Sequence, residues 1–213
     1  MIRLISPPDR AADQELPVIR LISPPLSGVA IALACAACVA PPQPASDEHA
    51  LGSCGTVRTF PVVDSPHVLP GTSVAWATNP PTSGPHYPVW AAWDRIYSDL
   101  ERGFWLHNAE HGAIVLVYRC DAGCPDTVTA LAGVVRGMPV DPHCDAPVWT
   151  RSLVVSDPLL PDDRTIAAVA WGTSYIATCV DDNALAMFIA ANYGRSTENT
   201  CAEGLPGDSV PIE

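Results

Sequence analysis

The sequence contains no lysine, so all 11 of its basic residues are arginines. They are outnumbered by 23 acidic residues, and the formal net charge is −12. A protein that binds nucleic acid or anionic lipid through charge presents a basic surface, which this composition does not favour. We therefore expect no nucleic-acid partner.

The apolar run at residues 26–40 is 15 residues long, short of the roughly 20 that a membrane-spanning helix needs. The basic residue Arg20 precedes this run, and the run includes the segment CAAC at residues 35–38. A basic residue followed by a short apolar run and then by small residues is typical of a secretory signal sequence. We predict a signal region at residues 1–37. Within it, MIRLISPP recurs at residues 18–25 as VIRLISPP. Either the segment is duplicated, or residues 1–17 are a start-site artefact and translation begins at Val18.

Cys38 is the predicted lipidation site, because small residues precede it as in a bacterial lipobox; Cys35 is the competing acceptor. Cleavage before Cys38 leaves six cysteines that can all pair, whereas cleavage before Cys35 leaves an odd thiol. The expected partner is therefore the membrane, through an N-terminal lipid anchor, and a protein partner is unknown. The expected location is the cell envelope outside the cytoplasm, with secretion as the alternative.

The six remaining cysteines are expected to form disulfides, since exported proteins fold in oxidising compartments. Metal binding by Cys120 and Cys124 is the alternative, although no second pair lies nearby. The pairing cannot be read from the sequence. The candidates are Cys54, Cys120, Cys124, Cys144, Cys179 and Cys201.

Residues 38–50 are rich in proline and polar residues and are predicted to be a tether, followed by a domain at residues 51–213. Strand patterns are found at residues 56–63, 72–77, 113–118, 151–157 and 165–172, and helix patterns at 89–103, 126–138 and 181–194. They predict a single α+β domain with one mixed β-sheet, packed by two or three helices and stapled by disulfides. A thioredoxin-like arrangement is the alternative.

The motif HNAEHG at residues 107–112 places two of the six histidines four residues apart around an acid. At a helix end, His107 and His111 share one face and Gly112 ends the helix; if the motif is instead a turn, the same side chains also converge. The letters match the inverted zinc-peptidase pattern H-x-x-E-H. That pattern needs a continuing helix, and six strand formers follow Gly112, so we do not favour a peptidase.

A transition metal needs further ligands, and His86 in the proline-stiffened loop at residues 79–88 is the best candidate. The predicted metal set is His86, His107, His111 and Glu110, with His67 a weaker addition. Imidazole ligands suit copper or zinc. In the alternative, these residues only hold a loop by hydrogen bonds. A metal-dependent enzyme would also need an acid or base, for which Glu110 is the candidate.

Two paired motifs carry a family resemblance. TNPPTSGPHY, followed about twenty residues later by HNAEHG and an apolar strand ending in tyrosine, resembles the bacterial family known as domain of unknown function 3105. The resemblance covers roughly residues 72–194. It implies an exported or membrane-tethered protein, and it implies that His86, His107, Glu110 and His111 act as a unit. It implies no particular activity.

Overall fold

A computed structural model of the chain describes residues 43–121 and 123–212. The predicted signal region, Cys38 and the first residues of the predicted tether lie outside these ranges. None of the helices within them is long and apolar enough to cross a membrane.

The described residues form one α+β domain around a mixed eight-stranded sheet. Its strands are β1 (Asp47–Leu51), β2 (Gly55–Thr59), β3 (Arg95–Tyr97), β4 (Ile114–Tyr118), β5 (Ser152–Ser156), β6 (Ile166–Ala170), β7 (Thr173–Ala177) and β8 (Val210–Pro211). Their order across the sheet is β1-β2-β7-β6-β4-β5-β3-β8. The pairs β4–β5 and β5–β3 are parallel, and all other neighbouring pairs are antiparallel.

Three helices, α1 (Arg102–Glu110), α2 (Pro125–Arg136) and α3 (Asp182–Asn192), cover the two faces of this sheet. Helices α2 and α3 pack against one face, where Leu116 of β4 is fully buried. Helix α1 packs against the other face, where Val115 and Val117 are fully buried. Every residue of β4 is buried because successive side chains enter opposite cores. The central strand therefore needs the uninterrupted apolar sequence that it has.

Much of the sequence-based assignment is confirmed. The fold class, one mixed sheet with three helices, is as predicted, and β4, β5, β6, α2 and α3 form where their patterns indicated. Helix α3 begins as expected from its capping residue, because the Asp181 side chain accepts a hydrogen bond from the Ala184 N–H at 3.0 Å.

The helix predicted at residues 89–103 is wrong. The segment is irregular around the short strand β3, and Asp94 adopts a left-handed backbone with φ of 54°. Its aromatic residues recur at helical spacing for another reason: the indole N–H groups of Trp90 and Trp93 both donate to the Ala202 carbonyl. Partners distant in sequence, rather than one helix face, thus explain the pattern.

Two smaller assignments also need correction. Residues 72–77 form no strand, and the Trp76 indole N–H instead donates to the Pro85 carbonyl at 2.9 Å. Residues 47–50, assigned to the tether, lie in the edge strand β1 and pair with β2. This strand is almost wholly exposed, so it lacks the apolar alternation that identifies a strand in a sequence.

All six cysteines expected to pair do so. The disulfides are Cys54–Cys179, Cys120–Cys124 and Cys144–Cys201. Such bridges are typical of oxidising, extracytoplasmic compartments, and they leave Cys120 and Cys124 unavailable as metal ligands.

Candidate metal centre

The motif HNAEHG lies at the C-terminal end of α1, which is the helical alternative of the two considered. The helix ends at Glu110, and Gly112 follows with φ of +88°, a conformation that glycine adopts without strain. A Cβ at Gly112 would also lie 2.8 Å from Nη1 of Arg151. Because the helix stops inside the motif, the continuing helix of the zinc-peptidase pattern does not form.

His107 and His111 lie one helical turn apart on the same side of α1. Their ring centroids are 4.4 Å apart. Both side chains are buried, with 2% and 3% exposure. The helix that carries them packs on the sheet face opposite α2 and α3.

The proline-rich loop at residues 79–88 places His86 beside this helix end. Residues 80–84 of the loop are buried and hydrogen-bonded: the Thr82 carbonyl accepts from the Gly172 N–H at 2.8 Å, and the Gly84 N–H donates to Ser65 Oγ at 3.0 Å. His86 is fully buried, and its ring centroid lies 4.7 Å from that of His107. The structure thus brings these two predicted ligands together.

His67 reaches the same place through a parallel β-bridge to His86. Two backbone hydrogen bonds fix this bridge, Val68 N–H to the His86 carbonyl at 2.8 Å and His86 N–H to the Pro66 carbonyl at 3.3 Å. The His67 ring centroid lies 4.9 Å from that of His86 and 5.0 Å from that of His107. His67 is exposed, so it opens the cluster to solvent.

His67, His86, His107 and Glu110 each offer one donor atom, and all four atoms lie within 4.8 Å of one another. Ligand atoms about 2.0–2.1 Å from a tetrahedral zinc ion lie about 3.3 Å apart. Nε2 of His86 and Oε2 of Glu110 are already at 2.9 Å. The wider separations need to contract by about 1.5 Å at most for these atoms to bind one tetrahedral ion. We call this set the first position.

Backbone carbonyls fix the tautomers of the two buried histidines in the first position. Nδ1 of His86 lies 3.0 Å from the Gly84 carbonyl oxygen, and Nδ1 of His107 lies 2.6 Å from that of Tyr87. A carbonyl oxygen can only accept, so both Nδ1 atoms carry the proton. In the neutral rings, Nε2 then has a free lone pair, which is the form that binds a metal ion.

The contact between His86 and Glu110 is close but poorly aligned. Nε2 of His86 lies 2.9 Å from Oε2 of Glu110, yet it has no hydrogen bond of good geometry. Burial lowers the pKa of His86, but the contacts with Glu110 and Gly84 outweigh burial, and the pKa is raised. Burial raises the pKa of Glu110, but His86 and the other histidines outweigh it, and the pKa is lowered.

His107 and His111 are held in the neutral form. Burial, together with the neighbouring His111 charge, lowers the pKa of His107 from 6.5 to about 4. Burial also lowers the pKa of His111, against the opposing effect of Glu198 and Glu110. At neutral pH both rings are therefore available as ligands.

His111, predicted to share a site with His86, belongs instead to a neighbouring donor set. His107, His111 and Glu198 offer donor atoms within 4.8 Å of one another. Nε2 of His111 lies 2.9 Å from Oε2 of Glu198, whose side chain is 51% exposed. We call this set the second position. Glu198 follows α3 in a segment without regular structure, and no motif in the sequence indicated it.

Other residues that the sequence analysis did not assign to the site support it. Trp90 packs against both α1 histidines, with ring centroids 5.0 Å from His107 and 4.3 Å from His111. Arg151, which is 1% exposed, donates to the His111 carbonyl at 2.7 Å and forms a buried ion pair with Asp141. The two remaining histidines lie apart: His49 pairs with Asp47 on β1, and the His143 N–H donates to the Asp141 side chain.

Fold and site together define a disulfide-stapled α+β domain with a buried histidine and carboxylate cluster at the end of one helix. The chain belongs to the family described as Protein of unknown function (DUF3105), whose model matches residues 67–204. The match includes His67 and Glu198, so every member of both donor sets lies within it. No curated protein and no solved structure matches the chain.

Proposed function

We propose that this domain binds a zinc or copper ion at the first position, through His67, His86, His107 and Glu110. The observation that carries the proposal is the tautomer of the two buried histidines. Each Nδ1 is held by a backbone carbonyl, so Nε2 is the ring nitrogen of both residues that is left for a metal ion, and at His86 the ion would displace the Nε2 proton that the contact with Glu110 favours. Histidine ligands in metal sites are oriented in this way by partners on the other ring nitrogen.

The donor set suits either metal. Three imidazoles and a carboxylate are a common ligand set for zinc, and imidazole also binds copper. For a given set of nitrogen and oxygen ligands, copper(II) binds more tightly than zinc. We therefore expect both ions to bind, with copper(II) the tighter, and the ion present in the cell to depend on supply.

The experiment is a titration of the oxidised domain with Zn²⁺ and Cu²⁺ by calorimetry, at neutral pH. The parent should bind one ion tightly, and His86→Ala and His107→Ala should each abolish tight binding. His49→Ala and His143→Ala are matched controls, because these histidines lie outside both donor sets, and they should bind as the parent does.

An alternative role for the cluster is structural, because His86 and Glu110 contact each other without an ion. In that case the parent would bind neither metal more tightly than the His86→Ala variant does. The same variant would then lose stability without losing any metal affinity. This outcome would contradict the proposed metal site.

We further propose that the domain is exported and lipid-anchored through Cys38. The disulfides and the signal-like sequence at residues 1–37 support this proposal. In the natural host, Cys38→Ser should move the protein from the membrane fraction to the soluble fraction, whereas Cys35→Ser should not. Release by Cys35→Ser alone would show that the acceptor is Cys35.

A further inference from the structure

The second position shares one residue with the first, and that residue can serve only one of them at a time. His107 belongs to both donor sets. Its Nδ1 is held by the Tyr87 carbonyl at 2.6 Å, so only Nε2 remains as a ligand. A single lone pair binds a single ion, and the two sets are therefore alternative positions for the same ion.

The two positions differ in the number of donors and in their routes to solvent. The first position has four donors, three of them imidazoles, and opens to solvent at His67. The second has three donors and opens at Glu198, whose carboxylate is half exposed on the segment after α3. Fewer donors make a weaker site, so an ion would reside in the first position and visit the second.

The two ring nitrogens of His111 differ in their surroundings, and Nε2 is the one that faces the second position. The side chain is 3% exposed, and Nδ1 has no hydrogen-bond partner. Its Nε2 faces Oε2 of Glu198 at 2.9 Å, close to the separation of about 3.3 Å between two ligands of one zinc ion.

We propose that His107, His111 and Glu198 form a transfer position, through which the ion bound at the first position enters and leaves the protein. This inference rests on the proposed metal site. The exposed Glu198 carboxylate captures the hydrated cation, His111 and His107 replace its water ligands, and His107 then carries it to His86 and Glu110. Release follows the same steps in reverse, toward solvent or toward the metal site of an acceptor protein.

The test measures exchange rates in the full-length, oxidised domain. The Zn²⁺-loaded protein is mixed with excess chromogenic chelator in a stopped-flow instrument, and uptake is followed in the reverse experiment. Glu198→Gln should slow release and uptake severalfold and by the same factor, because the exposed carboxylate that receives the cation is lost. Its dissociation constant should stay near the parent value, because the first position is intact.

Glu203→Gln is the matched control, because Glu203 is exposed in the same C-terminal region and its substitution removes the same charge. It should exchange zinc at the parent's rate. If Glu198→Gln also exchanges zinc at the parent's rate, the ion enters directly past His67 and the transfer position is wrong, while the metal site stands. Two tightly bound zinc ions per chain would also overturn the proposal. A parent that binds no zinc would instead contradict the metal site itself.

Discussion

The side chain of Asn108 hydrogen-bonds both backbone groups of Ala91, accepting from its N–H at 3.0 Å and donating to its carbonyl at 2.8 Å. Both residues are buried, and Ala91 follows Trp90 directly. Because Asn108 lies between His107 and His111 in sequence, this contact fixes Trp90 against the two rings. The side-chain amide of Asn108 therefore positions both the end of α1 and the Trp90 ring.

Replacing Asn108 by alanine should destabilise the domain by about 1–3 kcal/mol, because two buried backbone groups lose their partners. It should also weaken metal binding by displacing the α1 end. Urea unfolding and calorimetric titration measure the two effects. Asn183→Ala is the control: this residue is exposed on α3, and the expected change is within about 0.5 kcal/mol. Equal stability of the two variants would contradict a clamping role for Asn108.

Trp90 should report on copper binding. Its ring lies 4.3 Å from His111 and 5.0 Å from His107, so bound Cu²⁺ should quench its fluorescence. We expect Trp90→Phe to remove a large part of the copper-dependent quenching while leaving one Cu²⁺ bound. Trp149→Phe provides the comparison, because Trp149 is 55% exposed and belongs to neither donor set. Because the Trp171 ring lies 5.9 Å from that of His86, quenching that persists unchanged in both Trp90→Phe and Trp171→Phe would place the ion elsewhere.

The metal-free domain should lose stability on acidification because of His107. This residue takes up a proton near pH 6.5 when unfolded but near pH 4 when folded. Between these values the unfolded state binds more protons, so the unfolding free energy falls as the pH drops from 6.5 to about 4. His107→Gln should lose less stability over this range than the parent, as measured by urea unfolding.

His86 provides a comparison of opposite sign, because its pKa is raised in the folded state. The stability that its protonation contributes is present at low pH and is lost as the pH rises through the folded value. His86→Gln should therefore make the acid loss larger. Parallel pH profiles for the parent and both variants would contradict these pKa shifts.

The disulfides should contribute unequally to stability. Cys54–Cys179 spans a sequence separation of 125, whereas Cys120–Cys124 spans 4. In the chain-entropy model, closing these loops raises the free energy of unfolding by about 5 and about 2 kcal/mol, respectively. Replacing both cysteines of each bridge by serine, followed by urea unfolding, should reproduce this order. A larger loss from the Cys120 and Cys124 pair would show that local strain or contacts outweigh loop length.

The elements that could be predicted from sequence are those with a strong periodic pattern. Strand β4 is buried throughout, and helix α3 is capped and buries one apolar face. The apolar residues that this burial requires identify both elements in the sequence. Strand β1 could not be recognised, because an exposed edge strand needs no apolar face. Trp90 and Trp93 were misassigned to a helix because their shared partner, Ala202, is about a hundred residues away.

The same distinction applies to the site. His107, Glu110 and His86 belong to compact motifs, so sequence reasoning found them and the fold brings them together. His67 was ranked below His111, yet the β-bridge to His86 places it in the first position. Glu198 lies beside His111 because of the path that the chain takes after α3, and no local sequence pattern predicts that path. Local sequence patterns thus did not indicate the residues that only long-range contacts bring to the cluster.

The bridge between Cys54 and Cys179 has a practical consequence for defining the smallest piece that folds. The family match begins at residue 67, but β1 and β2 precede it, and Cys54 pairs with a cysteine inside it. A shortened chain of residues 67–204 would leave Cys179 as a free thiol and bare the edge of β7, where β2 normally pairs. Such an edge invites strand addition and aggregation. Recombinant versions of this domain should therefore include the hairpin that lies before the family boundary.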